Sequence, residues 1–208
     1  MRDARVAPRD LVVEIGAGSG MLTRALLAAG ARVVAVEPDH AFAQRLRRAC
    51  PSASVVERGW RDVPWPSEPF RVVANLPFAE AADICRSLFA DPRVPLVSAD
   101  LIVAWDFAAK RARLWPSTMQ TVLWSAWYEL TIARRLPPNV FAPPPSVAAG
   151  ILRARRREDP LVDPRRAAGY GAFVRRQFKV DPRAREIDPH GWAVRFRPAE
   201  ERPFGSVR

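Results

Sequence analysis

Leu11-Val12-Val13-Glu14-Ile15-Gly16-Ala17-Gly18-Ser19-Gly20 is the stretch on which the fold turns. Five residues, apolar except for Glu14, predict a buried strand, and three glycines at alternate positions follow it. Leu22, Ala25, Leu26 and Ala29 then recur at the spacing of one helix face, with Gly30 where a helix ends. Glycine lets the backbone turn tightly and lets a ligand lie against main-chain N–H groups at a helix N-terminus. The spacing is G-x-G-x-G, not the G-x-G-x-x-G of dinucleotide folds, and no Gly-Lys-Ser/Thr of a nucleotide triphosphate loop follows. Glu14, just before the first glycine, suits a cofactor that carries positive charge. S-adenosylmethionine, with its ammonium and sulfonium, is one. Taken alone, the glycines also fit a plain turn with no ligand.

Outward from this unit the chain alternates. Arg32–Val36 reads as a second strand stopped by Glu37-Pro38, and a second helix takes Phe42, Leu46 and Ala49 inward. Ser54–Val56, Phe70–Ala74 and Leu101–Val103 read as further strands, so βαβ units and a mostly parallel sheet are expected. Ser117–Trp127 reads as helix. Tyr128–Leu136 and Ala148–Arg155 read as an antiparallel terminal pair joined by the proline-rich Pro137–Ser146. Past Arg157 charge and proline rise, yet Tyr170, Phe173, Val174 and Phe178 share one helix face. The expectation is an α/β protein with a mostly parallel, seven-stranded sheet and a short helical C-terminal appendage. Residues 1–157 form the cofactor-binding domain in this reading, and 158–208 a reduced segment that contacts RNA.

The 208 residues suit one domain plus a remnant, since about 150 residues per domain is usual. With 49% hydrophobic residues the chain can fill a core, which excludes global disorder. Lys and Arg number 33 against 22 acids, a net charge of +11, and only Lys110 and Lys179 are lysines. So arginine-rich a surplus points to nucleic acid, which arginine grips with forked phosphate contacts. A GC-rich genome writes the same Arg, Ala, Pro and Val bias. Two cysteines, Cys50 and Cys85, and two histidines, His40 and His190, form neither a disulfide framework nor a metal-ligand spacing. No apolar run approaches membrane-spanning length and Met1–Arg5 leads into no apolar leader, so a cytoplasmic monomer without metal is expected.

Three further constellations carry chemistry. Glu37 ends the second strand 19 positions beyond Gly18, where an acid can accept both hydroxyls of a ribose. Asn75-Leu76-Pro77-Phe78 ends the fourth strand, at the sheet edge where open α/β folds bind ligands. The exocyclic amine of an adenine is a poor nucleophile because its lone pair is delocalised into the ring. The Asn75 side-chain oxygen and a main-chain carbonyl near Leu76 can hold its two hydrogens and free that pair. Pro77 stiffens the turn, and Phe78 offers a face on which an extruded base stacks. Phe141, in Phe141–Val147, can cover the other face of the base or simply the sheet edge. Lys110, Arg111 and Arg113 follow the fifth strand and are expected to meet phosphates at the site rim.

Glu14–Gly20, Glu37, Asn75–Phe78, Trp105–Ala112 and Phe141–Val147 together resemble the rRNA adenine N6-methyltransferases, which include KsgA and the erythromycin-resistance (Erm) enzymes. The likeness spans about residues 8 to 157, and the Trp-rich run and short tail favour the Erm branch. It implies a class I, Rossmann-like methyltransferase that uses S-adenosylmethionine to methylate an adenine of 23S rRNA, giving macrolide, lincosamide and streptogramin B resistance. The KsgA branch would instead dimethylate small-subunit rRNA, and a non-catalytic RNA-binding protein on the same scaffold is the other alternative. The resemblance places Glu14, Gly16, Ala17, Gly18, Gly20, Glu37, Gly59 and Asn75 around the cofactor. Asn75, Leu76, Phe78 and Phe141 fall around the target base. The chain departs from the family at Gly59, where an Asp usually holds the cofactor's adenine amine; Asp62 lies three residues on. The family's upstream Gln-x-Phe-Leu segment has no counterpart in the chain.

Overall fold

The computed structural model describes residues 4–112, 116–141 and 146–197. The apolar stretches form seven strands: β1 (Leu11–Ile15), β2 (Arg32–Val36), β3 (Ser54–Val56), β4 (Phe70–Asn75), β5 (Leu96–Ala104), β6 (Tyr128–Leu136) and β7 (Ala149–Arg156). They make one sheet in the order β3-β2-β1-β4-β5-β7-β6, parallel throughout except for β7, which runs against both its neighbours. Between them lie α1 (Met21–Ala28), α2 (His40–Ala49), α3 (Ala81–Leu88), α4 (Trp105–Ala112) and α5 (Met119–Ser125). After β7 come α6 (Ala167–Val180) and α7 (Pro189–Phe196).

Alternation along each strand builds two cores. Val12, Val33, Ala35 and Val73 face one side and pack with Leu26 of α1 and Leu46 of α2. Val13, Ile15, Val72, Leu101 and Leu152 face the other side, with Ile84 of α3, Val122 of α5 and Tyr170, Val174 and Trp192 of the C-terminal helices. The tail thus shares the main core: the Trp127 indole N–H donates to Val162 O at 2.7 Å, and Phe178 stacks on Trp192 at 5.3 Å between centroids.

Three local expectations are corrected. The fifth strand runs for nine residues, Leu96–Ala104, not from Leu101, because Ser98 and Asp100 are buried in the sheet by polar partners. Asp100 pairs across the strand with Arg153, and Ser98 Oγ accepts from Arg71 at 2.8 Å, so polar residues stand in an interior strand. Phe42 is not inward but 40% exposed beneath Arg45, while Ala43 and Leu46 carry the buried face of α2. On α1 the buried residues are Thr23 and Leu26, and Leu22 and Ala25 turn toward a cleft.

Candidate active site

The strand order reverses between β1 and β4, so the loops leaving their C-terminal ends diverge and open a crevice, the place where doubly wound sheets bind ligands. Gly16, Gly18 and Gly20 all adopt left-handed backbone, with φ of +71°, +52° and +76°. That conformation is why the loop is built on glycine. The Gly16 and Ala17 N–H groups both donate to Val36 O, at 2.9 and 3.2 Å, which ties the loop to the end of β2. A Cβ on Gly16 would lie 3.8 Å from the main-chain oxygen of Asn75, so the glycine loop and the end of β4 are neighbours.

Two acids stand behind this loop. Glu37 is buried, and its carboxylate accepts the Gly18 N–H at 2.7 Å and the Asp39 N–H at 2.9 Å. Glu14 is 2% exposed and accepts the Thr23 hydroxyl at 2.6 Å. Burial pushes the Glu14 carboxyl up to about 7, the charge of Glu37 adds to that, and the Thr23 hydrogen bond works against it. The ionised form of a carboxyl held in so poor a solvent is stabilised by any cation that faces it. Thr23 escaped the reading of the sequence; its signal is a polar residue on the inward side of α1, three positions after Gly20.

A cleft of about 670 Å³ opens before Glu14 and Gly16–Ser19, and its opposite wall carries Asn75, Leu76, Phe78, Ile102, Val140 and Phe141. The expected acceptor turn, both aromatic rings and the glycine floor therefore line one space. Among the described residues no hydrogen bond engages the exposed Asn75 amide. The turn beneath it is fixed: Leu76 N–H donates to Ile102 O at 3.1 Å, and Pro77 O accepts from Glu80 and Ala81 N–H. A second pocket of about 390 Å³ lies on the other side of Gly16, lined by Glu37, Pro38, Gly59–Asp62, Pro77 and Glu80. Its wall is braced by the Trp60 indole N–H donating to Glu80 at 2.7 Å, with Arg61 stacked on the Trp60 ring. Gly59 has ordinary backbone, φ −64°, and a Cβ there would lie 3.5 Å from Asp62 Oδ2. The Asp62 carboxylate therefore stands at the Gly59 position.

The basic residues after β5 divide. Lys110 is exposed on α4 and Arg113 lies outside the described residues. Arg111 corrects the expectation: its guanidinium packs over the Phe107 and Trp124 rings and donates to Thr118 Oγ1 at 2.7 Å. Burial lowers its pKa from the usual arginine value, and its Nε is buried without a partner. It holds α4 to α5 and presents no open fork to a phosphate.

Seven strands in this order, a left-handed glycine loop after β1 and an acid closing β2 define the class I methyltransferase fold. The solved 23S rRNA methyltransferase ErmE matches it with a TM-score of 0.79 over 94% of this chain and 92% of that one, at 24% identity. A dimethyladenosine transferase from Plasmodium falciparum matches with a TM-score of 0.75 over 86% of this chain and 66% of that one, at 21% identity. The family model described as ribosomal RNA adenine dimethylase matches residues 1–184, and the chain belongs to that family. Among similar proteins are an rRNA adenine N-6-methyltransferase of Corynebacterium diphtheriae, 34% identical, and the mycinamicin-resistance protein MyrB of Micromonospora griseorubida, 37% identical. Each match covers 80% of this chain and 66% or 53% of the relative, so the chain spans about half to two thirds of their length. Among the described residues no group of side chains could hold a metal ion, and no helix is long and apolar enough to cross a membrane.

Proposed function

We propose that the protein transfers a methyl group from S-adenosylmethionine to N6 of an adenine in 23S rRNA, conferring resistance to macrolides, lincosamides and streptogramin B. One observation carries this reading: the glycine floor and the Asn75–Phe78 turn touch at Gly16 and face a single cleft. The curated relatives, named as rRNA adenine methyltransferases and a macrolide-resistance protein, support it.

The residues present fit this cofactor. Left-handed glycines leave main-chain N–H groups uncovered, the Glu37 carboxylate stands ready to accept ribose hydroxyls, and buried Glu14 fronts the cleft with a charge that needs a cation. Asp62, beside Gly59, supplies an acceptor for an adenine amine in the second pocket. When bound, S-adenosylmethionine supplies a methyl group made electrophilic by its sulfonium. The chain's part is positioning. Phe78 and Phe141 hold the extruded adenine between their rings. The Asn75 side-chain oxygen and the Leu76 main-chain carbonyl accept the two amine hydrogens, which drives the nitrogen toward tetrahedral geometry and aims its lone pair into the cleft. The amine's surplus proton leaves to water once the N–C bond has formed.

The test is methyl transfer to deproteinised 23S and 16S rRNA, with the modified adenine mapped by primer extension. Transfer to 23S rRNA is expected. Transfer to 16S rRNA alone would assign the KsgA-type substrate instead, and no calorimetric binding of S-adenosylmethionine would leave an RNA-binding scaffold.

A further inference from the structure

With Arg111 turned inward, the rim of the cleft needs another cation to hold RNA, and the hairpin β6–β7 carries one. Arg135 stands on β6 directly across from Gly150 of β7. Its guanidinium lies over the ring of Trp105, 4.9 Å from the centroid. Gly150 makes the space: a Cβ there would come within 3.0 Å of that ring. Trp105 is itself anchored, its main-chain N–H donating to Ala148 O at 2.7 Å. Arg135 is exposed, and among the described residues no acid pairs with it. Most of the other arginines with a role in this structure are already engaged by an acid, a carbonyl or a helix contact. A guanidinium laid flat on an aromatic ring keeps its N–H edge free for a planar anion while the ring restricts its rotamers.

Its place in the sheet gives the partner. Asn75 pairs with Ile102, Val103 with Gly150, and Gly150 with Arg135. Three steps between neighbouring strands put Arg135 roughly 14 Å from Asn75 at the same end of the sheet. Pro137–Val140 leads from it straight to Phe141 on the cleft wall. That separation is too long for the target nucleotide itself and suits the backbone on either side of it.

We propose that Arg135, posed on Trp105, is a docking point for an RNA phosphate flanking the methylated adenine. This rests on the methyltransferase reading for its choice of RNA. It gives the arginine a positioning role: the contact holds the strand while the base is extruded, and it reads no sequence.

The experiment compares wild type, Arg135→Gln, Arg135→Lys and, as a charge-matched control at the far end of α2, Arg48→Gln. Filter binding of deproteinised 23S rRNA over a salt series gives Kd and its salt dependence; calorimetry with S-adenosylhomocysteine gives cofactor affinity. Arg135→Gln should bind RNA about tenfold more weakly, as expected for a lost charge-assisted contact. Its plot of log affinity against log salt should flatten by about 0.7 to 0.9, the contribution of one phosphate. Cofactor Kd should not change, and Arg135→Lys should restore the slope while recovering only part of the affinity. In turnover, KM for RNA should rise with kcat held. A Gln variant that matches wild type or Arg48→Gln in RNA Kd and slope overturns the proposal, as does one whose only change is a lower Tm. Wild-type protein that binds RNA through Arg135 without transferring methyl would sink the enzymatic reading and leave the docking point standing; protein that binds no RNA sinks both.

Discussion

Cofactor affinity should depend on pH through Glu14. The carboxyl sits at about 7 without ligand because it is buried beside Glu37. A cation in the cleft stabilises only its ionised form, so binding at lower pH requires a proton to leave. Each pH unit below about 7 then costs about 1.4 kcal/mol, a factor of ten in Kd, until the lower pKa of the complex is reached. Kd for S-adenosylmethionine at pH 6 should accordingly be about ten times its value above pH 8, with roughly half a proton released at pH 7. Calorimetry in buffers of different ionisation enthalpy measures both quantities. In Glu14→Gln the slope should vanish and affinity fall by about 1.5–3 kcal/mol, the usual loss when a charged hydrogen-bonding partner becomes neutral. The same shift acts on folding with the opposite sense for stability. The folded chain holds this proton more tightly than the unfolded chain, whose carboxyl titrates near 4.5, so stability is greatest below about 4.5 and declines as pH rises toward 7. The decline from this one group is about 3 kcal/mol, and Glu14→Gln should abolish it in urea titrations. A wild-type Kd that is flat between pH 6 and 8, or a slope that survives in Glu14→Gln, would refute the assignment of a cation-facing Glu14.

Asn75→Ala should abolish methyl transfer while leaving S-adenosylhomocysteine affinity within about twofold, because its amide is engaged by no other residue; Phe78→Ala should weaken base capture by about 1–3 kcal/mol, the usual stacking contribution, in competition assays with RNA. Gly20→Ala should destabilise the fold by about 1–3 kcal/mol in urea titrations, since a Cβ would meet Leu46 Cδ1 at 2.5 Å on backbone at φ +76°. Arg111→Ala should lower Tm and leave the salt dependence of RNA binding unchanged, and a flattened salt plot in that variant would return Arg111 to the RNA surface.

Gly16, Gly18 and Gly20 were legible because left-handed backbone leaves few other residues to choose from, and Asn75–Phe78 because the end of a parallel strand is where ligands meet such sheets. The strands were legible from their apolar runs, save where partners changed the meaning of a residue. Asp100 cut the fifth strand short on paper, yet Arg153 from a strand over fifty residues away makes it an interior residue. Phe42 looked like core by type, and only the packing of α2 leaves it outside.

The order of residues by itself set the alternation of strands and helices, the glycine loop, the two acids and the amide turn, because each is dictated by local sterics or by the period of the apolar pattern. Tertiary structure alone decided that Thr23 holds Glu14, that Asp62 stands at Gly59, that Arg111 is buried and that Arg135 is offered on Trp105. Those outcomes turn on which charged groups find a partner or a ring across the sheet, and such pairings join residues that spacing along the chain does not bring together.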